Sequence, residues 1–184
     1  RTHVQYVEQK GCEVTSVKPA EKAVVLADGT SVAYDKLLIA TGSHTFIPPI
    51  PNLKEANNVI GFRNIEDIEV LKEAAKTHKN FLVMGAGLVG IDCVSGLLSS
   101  GVNVTLVEMA GWMLSKQLDE RAAKTYQDAF AAKGVAQYYG DGIKEAKLDE
   151  NGNICAMVLN SGTEIACDYV VVTAGVRANV EFLA

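Results

Sequence analysis

The run Phe81-Leu82-Val83-Met84-Gly85-Ala86-Gly87-Leu88-Val89-Gly90 narrows what this chain can fold into more than any other segment. Its first four residues are apolar and read as a strand. Residues 88–99 then read as a helix, with Val89, Cys93, Gly96 and Leu97 recurring at helical spacing. Three glycines stand between the two. Gly85 permits a tight turn. Gly87 lets the backbone approach a diphosphate where any Cβ would intrude, and Gly90 lets helix and strand pack closely. The first N–H groups of the helix offer the same spot a partial positive charge. A second strand, Val102 to Val107, follows the helix and ends at Glu108. That carboxylate stands 23 positions beyond Gly85, near the ~20 expected of a Rossmann dinucleotide site.

A carboxylate at Glu108 accepts hydrogen bonds from adenosine ribose hydroxyls and repels a 2′-phosphate. Met109 and Ala110 follow it, so no adjacent Arg is offered to such a phosphate. The pattern favours NAD(H) over NADP(H), held by Gly85, Ala86, Gly87, Leu88, Val89, Gly90 and Glu108. Two other readings stand beside it. The glycines can serve packing alone in an α/β domain. An S-adenosylmethionine site also uses a Gly-rich turn and a ribose-binding acid, although the triple-glycine spacing argues against it. Asp92, in the first turns of the helix, is open to two readings of its own. It can reach the nicotinamide side of a cofactor, or it can be a simple partner of the helix dipole, worth a few tenths of a kcal/mol.

Around this centre the chain has a β-α-β rhythm. Asn64 reads as a helix N-cap with Asp67 completing a capping box. The helix after it runs to about His78, with Ile65, Ile68, Leu71 and Ala75 on one face. A longer helix covers Asp119 to Lys133 with Gly134 as C-cap, and Val135 to Tyr139 reads as a third parallel strand. The period then changes to alternation. Ile143–Leu148, Ile154–Leu159 and Glu164–Cys167 read as a β-meander turning at Asn151-Gly152 and Ser161-Gly162. Tyr169 to Val172 is a last buried strand, entering Thr173-Ala174-Gly175. Upstream, Cys12–Val17, Ala23–Leu26 and Ser31–Ala33 read as strands, the last two joined by an Asp28-Gly29 hairpin. Val59-Ile60 reads as a short strand. The continuous apolar run Lys36–Ala40 suits a strand buried on both faces, and it ends in Thr41-Gly42-Ser43. Pro48-Pro49-Ile50-Pro51 reads as a stiff linker and domain boundary. The fold expected is α/β: a Rossmann-type parallel sheet with a β-meander.

Composition removes several classes of function. The net charge of −5 over 184 residues provides no basic footprint for nucleic acid. No run approaches the ~20 apolar residues of a membrane span, and Arg1–Lys10 lacks a signal-peptide core. Cys12, Cys93, Cys155 and Cys167 form no C-x-x-C pair, and with His3, His44 and His78 they make no metal-ligand spacing. No metal is expected, and the thiols read as reduced and structural in a cytoplasmic protein. The chain starts at Arg1 rather than Met, which suggests that it was cut from something longer or that it is a processed protein, the first being favoured.

Four stretches occurring in order, Tyr34–Ser43, the glycine turn, Val104–Glu108 and Val171–Arg177, resemble the pyridine nucleotide-disulfide oxidoreductase family. The resemblance covers the chain from about residue 10 to its end. It is greatest toward the branch of rubredoxin reductases, NADH oxidases, coenzyme A-disulfide reductases and the nitrite reductase large subunit, to which Gln117-Leu118-Asp119 is also similar. It implies an FAD domain interrupted by an NAD domain. Residues 1–47 would be a partial FAD-domain segment at the N-terminus, 48–173 the NAD(H) domain, and 174–184 the start of the return to the FAD domain. It further implies hydride transfer from NADH to flavin and on to an unidentified electron acceptor. Asp92, Ala174 and Gly175 would position the nicotinamide, and Thr41 and Gly42 would face FAD. The family's first glycine fingerprint has no counterpart before residue 40, and its redox cysteines would precede Arg1. The chain alone is therefore expected to hold FAD poorly and to be inactive, its partner being the rest of the same polypeptide. Asp92 stands where the family usually has Glu. A homodimer is left open, and so is a stand-alone NAD-binding or NAD-sensing module without catalysis.

Overall fold

Three short strands open the described chain: β1 (Val14–Lys18), β2 (Ala23–Leu26) and β3 (Ser31–Ala33), paired antiparallel in that order. The Asp28-Gly29 hairpin closes as its residues dictate. Gly29 takes a φ of +85°, and Asp28 accepts the Thr30 N–H at 2.8 Å. The computed structural model describes residues 8–183, so His3 and most of Arg1–Lys10 lie outside the described residues. The chain divides into two compact units, Arg1–His44 with Ala178–Ala184, and Thr45–Arg177. It changes unit first at β4 (Ser43–Thr45).

The larger unit carries the β-α-β rhythm. In order come β5 (Val59–Gly61), α1 (Ile65–Thr77), β6 (Asn80–Met84), α2 (Leu88–Ser99), β7 (Asn103–Glu108), α3 (Glu120–Ala132) and β8 (Ala136–Tyr139). The meander β9 (Ile143–Leu148), β10 (Ile154–Leu159) and β11 (Glu164–Ala166) follows, then β12 (Tyr169–Val172) and β13 (Val176–Ala178), where the chain changes unit again. Five strands form one parallel sheet in the order β5-β12-β6-β7-β8. The meander is a separate antiparallel sheet, order β11-β10-β9.

The continuous apolar runs find their explanation in the layers. Phe81, Val83, Val104, Leu106 and Val171 face a core made with Leu71, Cys93, Leu97 and Phe130 of the helices. Leu82, Met84, Val107, Val170 and Val172 face a second core made with Met157, Leu159 and Ile165 of the meander. A strand covered on both faces cannot alternate, because both sets of side chains leave water. Ile50, from the Pro-rich stretch, packs against the second core. The capping box forms: Asp67 accepts the Asn64 N–H at 2.8 Å.

Three expectations need correction. Lys36–Ala40 is neither a strand nor buried, with Leu38 88% exposed. An inner strand needs a neighbour on each side, and no strand among the described residues pairs with it. The buried face of α2 is Gly90, Cys93, Val94 and Leu97, while Val89 and Gly96 are exposed. Cys93 and Leu97 thus lie on the buried face as read, and Gly90, packed against the Gly85 carbonyl, and Val94 take the places given to Val89 and Gly96. In α1, Leu71 and Ala75 are buried, but Ile65 and Ile68 are exposed. The helix starts where β5 ends, so its first turn stands at the rim of a cleft rather than over the sheet.

Candidate functional site

The glycine turn lies where β6 gives way to α2, at the carboxyl ends of the parallel strands. Gly85 adopts a φ of +112°, which only glycine takes without strain. A Cβ on Gly90 would overlap the Gly85 carbonyl oxygen. A Cβ on Gly87 would meet no atom within 4 Å, so that position opens onto free space. Gly87 is also the N-cap of α2 in an extended conformation, and no side chain caps the helix. The first helical N–H groups therefore have no intrahelical partner and lie ready for an anion.

The turn is braced from three directions. The Ala86 N–H donates to Glu108 Oε2 at 2.7 Å, and the Ala110 N–H donates to Oε1 of the same carboxylate at 2.8 Å. The Leu114 N–H donates to the Ala86 carbonyl at 2.9 Å. The Thr173 hydroxyl lies 3.0 Å from the Met84 and Gly85 carbonyl oxygens. Beside Glu108, Tyr139 is pushed up to about 12, first by burial and then by the carboxylate charge.

Two clefts flank the turn. The first, about 650 Å³, is lined by Gly85, Ala86, Gly87, Glu108, Ala174 and Gly175 among others. Met109, Lys116 and Ile143 also face it. The second, about 400 Å³, takes Val89, Asp92, Thr173 and Gly175 with the apolar rim Phe62, Ile65 and Ile68. An extended two-part ligand crossing the turn would place one half in each. The structure thus places Glu108 in the first cleft and Asp92 in the second, two clefts that share Thr173 and Gly175. Leu88 is exposed, Gly90 is buried, and neither lines a cleft. Thr41 and Gly42 lie in the other unit. There the Thr41 hydroxyl donates to the Asn179 carbonyl at 2.5 Å, and the Asn179 N–H donates to the Gly42 carbonyl at 3.0 Å.

Sequence reading missed Lys116, the only cation among the described residues lining the first cleft. It also missed the loop that carries it, in which Leu114 holds a φ of +55° and the Trp112 indole donates to the Leu118 carbonyl at 3.0 Å. A non-glycine residue in that region carries no motif that a sequence displays. Thr173 had a visible signal, its place before Ala174-Gly175, but its partners lie 88 and 89 residues away.

Fold and turn together define a Rossmann-type α/β protein. The chain belongs to the family described as pyridine nucleotide-disulphide oxidoreductase, which matches residues 2–184. It is 35% identical over 153 residues to an NADH oxidase of Enterococcus faecalis, covering 83% of this chain and 34% of that protein. It is 34% identical to the epsilon subunit of NADH-dependent phenylglyoxylate dehydrogenase of Aromatoleum evansii, covering 86% and 37%. Among solved structures it resembles a ferredoxin reductase from Rhodopseudomonas palustris, with a TM-score of 0.85 at 27% identity, covering 93% of this chain and 42% of that one. The chain thus spans about a third of the length of these two relatives. No helix among the described residues is long and apolar enough to cross a membrane.

Proposed function

We propose that this chain is the NAD(H)-binding part of an FAD-dependent oxidoreductase that passes a hydride from NADH to flavin and on to an acceptor. The observation that carries the reading is the open backbone at Gly87, where a Cβ would stand in free space at the first cleft. A diphosphate fits there, against unpaired helix N–H groups. Glu108 would receive the adenosine ribose: each of its oxygens binds one backbone N–H and keeps a lone pair for a hydroxyl. Leu88 and Val89 would contribute backbone at the helix start, with Gly90 seating the helix. Asp92, Ala174 and Gly175 would orient the nicotinamide, and Phe62, Ile65 and Ile68 would keep water from it.

When both cofactors are bound, they supply the hydride chemistry, and the protein supplies position and electrostatics. Residues 48–173 form the NAD(H) domain in this reading. Residues 1–47 and 174–184 belong to an FAD-type domain, with Thr41 and Gly42 toward the flavin nucleotide. The exposed apolar run Leu37–Ile39 supports that assignment, since it has the composition of an inner strand. In this reading FAD is held chiefly by the rest of the polypeptide. The enzyme works in the cytoplasm.

Titration with NADH, NADPH and S-adenosylmethionine, followed by the fluorescence of Trp112, tests the reading. NADH should bind tightest. Tighter binding of NADPH would contradict the role given to Glu108. Gly87→Val should abolish NADH binding while leaving the melting temperature within a few degrees, because its φ of −78° suits any residue. Unchanged NADH affinity in that variant would move the site elsewhere.

A further inference from the structure

One peptide unit of the glycine turn, the Gly85–Ala86 bond, is gripped at both ends by side chains, those of Glu108 at the end of β7 and of Thr173 just past β12. Its N–H, on Ala86, donates to Glu108 at 2.7 Å. Its carbonyl, on Gly85, lies 3.0 Å from the Thr173 hydroxyl. A trans peptide points its C=O and N–H in opposite directions, so the two partners stand on opposite sides of the turn and hold the plane between them. The hydroxyl has a choice of acceptors, as Met84 O is also at 3.0 Å. Met84 O already accepts the Thr173 backbone N–H at 2.9 Å, which leaves Gly85 O as the acceptor in need. The same hydroxyl oxygen would lie 2.9 Å from a Cβ on Gly85 and 2.9 Å from a Cβ on Gly90. Thr173 therefore occupies the space that both glycines vacate.

We propose that Thr173 is a positioning residue: its hydroxyl, opposite Glu108, fixes the Gly85–Ala86 peptide plane so that the following N–H groups present themselves to a dinucleotide diphosphate. This rests on the reading of the turn as the diphosphate site. Gly85 has a φ of +112° and no side chain of its own to restrain it, so the partners on either side of its peptide are what hold the plane. Rotation would swing the Gly87 and Leu88 N–H groups off the ligand. Because Thr173 follows β12 and lines both clefts, the same side chain ties the diphosphate turn to the wall of the nicotinamide side.

The test compares the full-length protein with Thr173→Val and Thr173→Ser, using three probes: NADH, ADP-ribose and adenosine. Thr173→Val keeps the shape and loses the donor. It should weaken NADH and ADP-ribose by about tenfold, the scale of one unmet hydrogen bond, and leave adenosine unchanged. Thr173→Ser should restore both. Thr173→Ala makes the same comparison should the valine variant fail to fold. Normal ADP-ribose binding without the hydroxyl overturns the inference, as does a serine variant as weak as the valine one. Equal weakening of adenosine also overturns it, because a general loss of structure would do that. If the unaltered protein binds neither NADH nor ADP-ribose, the proposed function itself fails.

Discussion

At the scale of residues, the geometry of Glu108 leaves room for the ribose role proposed for it beside the backbone bonds it makes. Its oxygens hold Ala86 and Ala110 by backbone N–H bonds of 2.7 and 2.8 Å, while its charge faces the first cleft. Glu108→Gln keeps one acceptor oxygen and presents an amide donor where an acceptor is needed. It should weaken NADH by about 1.5–3 kcal/mol, the range of charge-assisted hydrogen bonds. It should weaken NADPH less, because the like-charge repulsion is gone. Parallel titrations with the two nucleotides check this, and an undiminished preference for NADH would remove Glu108 from the ribose. Gly87 and Gly90 differ in kind despite sharing a motif. One faces free space and the other faces the turn's own backbone. Only the first is a position where a side chain competes with a ligand.

At the scale of elements, α3 owes its start to Asp119, whose side chain accepts the Ala122 N–H at 2.8 Å. Asp119→Ala should cost about 1 kcal/mol, seen as a lower urea midpoint with NADH affinity unchanged. Caps of this kind were legible because they act over three residues. So were the strands Phe81–Met84 and Tyr169–Val172, since a strand covered on both faces writes itself as an unbroken apolar run. Legibility fails where a distant partner decides. Lys36–Ala40 carries the same signature and is exposed, because periodicity describes a segment and says nothing of its neighbours. In α2 Cys93 and Leu97 were read correctly and Val89 and Gly96 were not, as Gly90 packs against Gly85 and turns Val94 inward with it. The residues that build the turn were legible, while Thr173 and Leu114, which brace it, are joined to it only by the fold.

At the scale of the whole molecule, burial shifts two thiols and two phenols, Cys93, Cys167, Tyr139 and Tyr169, toward keeping their protons. Burial pushes Cys93 and Cys167 up to about 12, helped at Cys167 by the charges of Asp168 and Cys155. Tyr139 is likewise pushed up to about 12. In the unfolded chain such groups lose their protons near 8.5 and 10. The unfolded state then binds fewer protons than the folded one, so stability is complete below about pH 8.5 and declines as pH rises toward 12. Urea midpoints at pH 7.5 and 10.5 should fall in that order, and a flat profile would mean that these groups ionise normally when folded. By the same argument, a thiol reagent at pH 8 should label the exposed Cys12 and Cys155 in the native protein. Cys93 and Cys167 should react only after denaturation.

The place of β12 between β5 and β6 has a consequence for biosynthesis. Val170 pairs with Val59 on one side and Leu82 on the other, although it is made long after both. A nascent chain emerging N-terminus first holds two strand edges apart around a vacant slot until Tyr169–Val172 arrives. Thr173 is translated immediately afterwards. On the proposed reading, competence to recognise a cofactor would be among the last properties this unit gains during translation, and ribosome-stalled chains ending before residue 169 should not be retained on an immobilised nucleotide.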